Sequence, residues 1–114
     1  MTDCIFCKMV AGDIKPRVIL ETDRVLAFHD INPKAPVHAL VIPKLHVPTL
    51  DDLPTDDPEL ASALFQAVKE VAELEGLSTR GYRTVINCRG DSGQEVYHLH
   101  LHVMGGRRLN WPPG

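Results

Sequence analysis

The chain has 114 residues, 44% of them apolar and 24% charged, with a formal net charge of −3, the composition of one ordinary globular domain with a modest core. No basic run marks a nucleic-acid or membrane surface, no apolar run approaches the ~20 residues of a membrane span, and MTDCIFCKMVAGD at the N-terminus lacks a signal-peptide pattern. Three cysteines without a secretory mark point to reduced thiols in a cytoplasmic setting and exclude a disulfide framework.

Residues 4–11, CIFCKMVA, are apolar at 5, 6, 9 and 10 and run into Gly12, which predicts a short helix with a glycine stop. RVILE (17–21) and RVLAFH (24–29) are rich in β-branched and aromatic side chains and flank Thr22 and Asp23, the pattern of a β-hairpin. Pro33 and Pro36 make 31–36 a loop, HALVIP (38–43) is a third strand, and a polar, proline-punctuated connection follows. The clearest helix is Pro58–Glu75, where Leu60, Leu64, Val68, Val71 and Leu74 share one face. Asp57 can cap it, Pro58 suits its first position and Gly76 its end. YRTVIN (82–87) reads as a fourth strand, CRGDSGQE (88–95) as a turn-rich loop, VYHLHLHVM (96–104) as a fifth strand and 105–114 as an irregular tail. One long and one short helix with about five short-linked strands predict an α+β fold on an antiparallel sheet, a single domain over 1–114.

Half of the chain's six histidines fall in HLHLH, residues 98–102. On a strand, His98, His100 and His102 share one face, and Leu99, Leu101 and Val103 the other, where they can pack on the long helix. Three readings are open: a catalytic imidazole row, a metal site and a plain polar face. A single ion cannot hold all three from a regular strand, because the outer pair is ~13 Å apart, although neighbours could share one. A polar outer face seldom repeats imidazole. Neutral imidazole is nucleophilic near pH 7, and a neighbouring ring can protonate a leaving group. Attack on phosphorus would give a phosphoramidate that water hydrolyses, with backbone N–H groups of the Gly90–Gly93 loop near the anion.

HLHLHVM resembles the histidine-triad (HIT) superfamily motif, in which three histidines alternate with apolar residues. The flanking GQEVYHLHLHVMGGR and the terminal WPPG are similar to its Hint branch, the nucleoside phosphoramidases. CIFCK (4–8), AFHDINPKAPVH (27–38) and HALVIPKLH (38–46) extend the resemblance over essentially the whole chain.

The resemblance implies hydrolysis of purine nucleoside 5′-phosphoramidates, of the adenosine 5′-monophosphoramidate type, through a nucleotidyl-His100 intermediate. His102 would contact the phosphate and assist the leaving amine, and His98 and His38 would complete the imidazole network. Asn87 would lie near the leaving group, and backbone N–H groups of Gly93, Gln94 and Glu95 would hold phosphate oxygens. Asp30 would take the ribose hydroxyls, and Ile5, Phe6, Met9, Ile14, Phe28 and Ile31 would form the base slot for an AMP or GMP moiety. Without the resemblance, Asp30 reads as a turn opener, Ile5, Phe6 and Met9 as core, and His38 as a surface residue. Glu95 stands where a serine hydroxyl reaches the leaving group in some relatives, so its carboxylate would repel acidic leaving groups or attract a basic amine.

The same resemblance implies a homodimer with sheets joined across the interface, and a tail whose Trp111 reaches the partner's site. It implies no nucleic-acid or membrane partner and no cofactor required for catalysis. Some relatives hold zinc with a set such as Cys4, Cys7, His46 and His98; the plainer reading of Cys4 and Cys7 is two reduced thiols packed inward on a helix. Cys88 is an unpaired thiol beside the phosphate loop. Rival functions are a dinucleoside polyphosphate hydrolase, as in the Fhit branch, a nucleotide-binding or scaffold protein with weak catalysis, and a zinc-binding regulator.

Overall fold

A β-branched hairpin opens the sheet. Thr22 tightens its turn by accepting the N–H groups of Arg24 and Val25 on its hydroxyl at 3.3 and 3.1 Å. In the computed structural model, which describes residues 3–114, this hairpin is β1 (Val18–Glu21) and β2 (Val25–His29). β3 (Val37–Pro43), β4 (Arg83–Ile86) and β5 (Leu101–Gly105) complete a five-stranded antiparallel sheet of order β1-β2-β3-β5-β4. The short helix α1 (Ile5–Ala11) and the long helix α2 (Pro58–Leu74) cover its two faces.

The two faces bury separate cores. Val25 and Ala27 of β2, Ala39 and Val41 of β3, and Leu101 and Val103 of β5 pack with Leu60, Leu64, Val68 and Val71 of α2. The other set, Leu26, Phe28, Leu40 and Ile42, packs under Phe6 of α1. β2 is therefore buried on both faces, which is why it reads as a continuous apolar run rather than an alternation. Both faces are needed: α2 supports the sheet, and α1 roofs the half that carries the histidines.

Most elements differ from the sequence reading by a residue at an end; two differences go further. Asp57 precedes α2 without capping it by a side-chain bond; its carboxylate instead takes both Nη atoms of Arg24. More telling, β5 starts at Leu101 and not at residue 96. The β3–β5 ladder runs from Val37↔Gly105 to Val41↔Leu101, two residues short of Pro43, which has no N–H to extend it. Residues 96–100 therefore leave the ladder, held by the Leu99 N–H on the Val47 carbonyl at 2.6 Å. Alternation survives without the ladder, since Leu99 still joins the α2 core with Leu101 and Val103.

Candidate active site

Backbone carbonyls and N–H groups assign the proton of His38, His98 and His100, and His38 in turn assigns that of His102. His98 is fully buried, and its Nε2–H donates to the Pro43 carbonyl at 2.8 Å, so Nδ1 keeps its lone pair. His100 donates Nδ1–H to the His98 carbonyl at 2.7 Å, so in the neutral ring the lone pair is on Nε2. His38 Nδ1 accepts the Lys34 backbone N–H at 3.0 Å, so the His38 proton is on Nε2, 2.9 Å from His102 Nδ1 and 3.4 Å from Asp30 Oδ2. His102 thus accepts on Nδ1 and carries its own proton on Nε2. The His100 and His102 rings stand 5.0 Å apart, edge to face.

Burial favours the neutral forms. It pushes His102 down to about 4, helped by the neighbouring His100 and His38 and opposed by Asp30. It lowers His38 against the pull of Asp30, and it lowers His98 against the hydrogen bond to Pro43.

Of these rings, His100 and His102 open onto a cavity of about 380 Å³. Its lining is apolar at Ile5, Phe6, Met9, Ile14, Phe28 and Leu40 and polar at Asp30, Asn87, Glu95, His100 and His102. Ile31 lies at the lip, 94% exposed. Phe6 touches both kinds of residue: its ring meets Phe28 at 5.6 Å, His100 at 5.3 Å and His98 at 5.8 Å, all edge to face. Both readings of Asp30 coexist: Oδ1 closes a turn on the Asn32 N–H at 2.8 Å, while Oδ2 faces His38 and the residue lines the cavity.

Four of the expected residues do not line the cavity. His38 lies behind His102, and His98 behind Phe6 and His100, so both back the wall rather than form it. Gln94 is buried, with its amide turned into the protein. Trp111 is 80% exposed and stacks near the Arg83 guanidinium at 5.9 Å. The sequence reading missed Lys15, Pro16, His29, Leu40 and Val96, which also line the cavity. Leu40 sits inside a plain apolar strand and gave no local signal; Lys15–Pro16 could have been found as the extended step after Ile14.

The loop before the histidines is more closed than its glycines suggest. Gly93 N–H donates to the Gly90 carbonyl and Gln94 N–H to the Arg89 carbonyl, at 3.0 and 3.2 Å. Among the described residues only the Glu95 N–H, of the three expected donors, has no acceptor within the chain. Arg89 adopts φ 66° and ψ −162°, a region that glycine essentially monopolises and that costs other residues about 1–3 kcal/mol.

Behind the cavity, Cys4, Cys7, His46 and His98 bring their donor atoms within 4.8 Å of one another. Nδ1 of His98 is 3.3 Å from Cys4 Sγ and 3.6 Å from Cys7 Sγ, and His46 Nδ1 is 3.2 Å from Cys7 Sγ. Tetrahedral zinc keeps sulfur and nitrogen donors roughly 3.5 Å apart, so the set fits that ion, and the His98 tautomer already points its lone pair inward. The other nitrogen of His98 is fixed on the Pro43 carbonyl, which holds the ring in that orientation. Cys88 is a half-buried free thiol.

Comparison with known proteins agrees with this geometry. The profile of the HIT domain family matches residues 11–109. An uncharacterized HIT-like protein of Synechococcus elongatus is 48% identical over 112 residues, 98% of this chain and 97% of that one. The crystal structure of a HIT family hydrolase from Legionella pneumophila superposes with a TM-score of 0.95 at 49% identity, covering 98% of this chain and 100% of that one. A histidine triad nucleotide-binding protein from Candida albicans gives 0.84 at 30% identity, over 96% of this chain and 83% of that one.

Proposed function

This chain belongs to the HIT domain family, and from that premise we propose that it hydrolyses purine nucleoside 5′-phosphoramidates to a nucleoside monophosphate and an amine. The observation that carries the reading is the free Nε2 lone pair of His100 on a cavity lined by both apolar side chains and Asp30, Asn87 and His102. A purine packs against Ile5, Phe6, Met9 and Phe28, the ribose hydroxyls meet Asp30, and the α-phosphorus then falls beside His100.

In the first step His100 Nε2 forms a bond to phosphorus while the phosphorus–amine bond breaks. The ring becomes cationic, and its Nδ1–H, held on the His98 carbonyl, stabilises that charge. The bound phosphoryl anion raises the proton affinity of His102, which takes a proton from solvent on Nδ1, while Asp30 Oδ2, 3.4 Å from His38 Nε2, accepts the His38 N–H in its place. His102 Nε2–H then protonates the departing amine. In the second step water gives a proton to His102, attacks phosphorus and releases His100. The Glu95 N–H is the loop donor available to a phosphoryl oxygen.

The test is turnover of an adenosine 5′-phosphoramidate bearing a fluorescent amine, wild type beside His100→Ala, in excess chelator. Release by wild type alone supports the reading. Turnover confined to dinucleoside polyphosphates would favour that hydrolase instead, and tight AMP binding without turnover would favour a binding protein.

We also propose a structural zinc on Cys4, Cys7, His46 and His98, supported by the donor spacing above. When bound, the ion would tie α1 to the histidine segment; the chemical step is assigned to the imidazoles. A homodimer is proposed on the open edge of the sheet: β4 is an edge strand, and exposed Phe65 and Leu50 flank an apolar hollow beside Ile86.

A further inference from the structure

Arg89 holds a backbone conformation that only glycine adopts freely, φ 66° and ψ −162°, at the start of the loop before the histidines. A side chain there persists only if its surroundings hold it. The Arg89–Asp51 ion pair does not do so, because both partners are 59% exposed. The side-chain amide of Gln94 does. Its Oε1 accepts the Arg89 N–H at 2.8 Å. Its Nε2 donates to the Pro48 carbonyl at 2.9 Å and the Val96 carbonyl at 3.0 Å. Gln94 is only 8% exposed, so these bonds are shielded from water. One amide thus joins the start of the loop, its end and the neighbouring segment that carries His46.

We infer that Gln94 is a positioning residue: its amide clamps Arg89 in a glycine-type backbone and so fixes the unpartnered Glu95 N–H at the cavity wall as the phosphoryl-binding donor. This rests on the nucleotide reading above. If the clamp is released, Arg89 relaxes toward an ordinary backbone, the turn at 90–93 shifts and the Glu95 N–H turns away. The apolar lining that α1 and β2 supply is untouched. The clamp therefore acts on phosphate affinity and not on base affinity.

The inference has a rescue built into it. Glycine needs no clamp, so Arg89→Gly should restore what loss of Gln94 removes. The test measures binding of AMP and of adenosine, which lacks the phosphate, to the full chain by calorimetry, together with thermal melting. Gln94→Met should weaken AMP roughly tenfold, the scale of one charge-assisted hydrogen bond, and leave adenosine within about twofold. Arg89→Gly should bind AMP like wild type and melt higher. The double variant should regain most of the tenfold loss, and Gln94→Met should lower the melting temperature less when residue 89 is glycine. If Gln94→Met does not fold alone, Gln94→Asn, an amide one methylene too short to reach Arg89 and both carbonyls together, takes its place in the same cycle.

Equal losses for AMP and adenosine, or no recovery in the double variant, would overturn the inference. A wild type that binds AMP no better than adenosine would reject the nucleotide reading and the phosphoryl role with it. The melting cycle still judges the clamp: additive effects there sink it, and coupled effects support it.

Discussion

Acidification should unfold this protein through His102, and the size of the effect follows from its site. His102 is half-buried between His100 and His38, and its pKa falls from an ordinary 6.5 to about 4. In the unfolded chain it takes up a proton near pH 6.5; in the folded chain it resists until about pH 4. The unfolded state therefore binds more protons across that window, and stability falls as pH drops through it. Above pH 6.5 both states are neutral there and the contribution is flat. At about 1.4 kcal/mol per pH unit, the window corresponds to roughly 3 kcal/mol, a sizeable share of a small domain's stability. His38 and His98 are lowered as well and add losses of the same sign. Urea melts at pH 7, 5.5 and 4, wild type beside His102→Gln, isolate the His102 share, because His38 and His98 titrate in both. The stability gap between the two proteins should shrink, in the variant's favour, by up to about 3 kcal/mol from pH 7 to 4. Parallel curves would refute the argument that burial holds this ring neutral.

Gly106 has φ +92°, and a Cβ there would stand 2.8 Å from the Pro36 Cβ; Gly106→Ala should destabilise by about 2–3 kcal/mol in chemical melts without altering base affinity. Cys7→Ser should remove zinc from freshly purified protein and lower the melting temperature, and equal metal content in the two proteins would exclude the four-residue site. Glu95 has no cationic partner among the described residues and lines the cavity with His102 and Asn87. Glu95→Ser should therefore lower kcat/KM for a basic amine leaving group severalfold relative to a neutral one; an unchanged ratio rejects an electrostatic role.

The fold was legible where period and punctuation agree. The apolar face of α2, the hairpin around Thr22 and the buried β3 all follow from local pattern. The start of β5 was not, because it depends on where β3 ends: Pro43 stops the ladder from across the sheet, a non-local constraint on residues 96–100. The histidine alternation held in spite of this, since Leu99 remains anchored in the core. Within the candidate site, the cavity gathers most of the expected slot residues together with His100 and His102. The tautomer of each ring was invisible, being written in the carbonyls of Pro43 and His98 and the Lys34 N–H. Also invisible was the conformation of Arg89, which reads as an unremarkable turn residue and occupies a backbone meant for glycine.

The central claim is that His100 Nε2 becomes covalently bonded to phosphorus. Intact mass and peptide mapping kept at alkaline pH after a denaturant quench, where a phosphorus–histidine bond survives, on wild type mixed with a nucleoside phosphoramidate for milliseconds to seconds, test it directly. The account predicts a transient species carrying one nucleoside monophosphate on His100, absent from His100→Ala. A full burst of amine release with no adduct, or an adduct on His98 or His102, would contradict it.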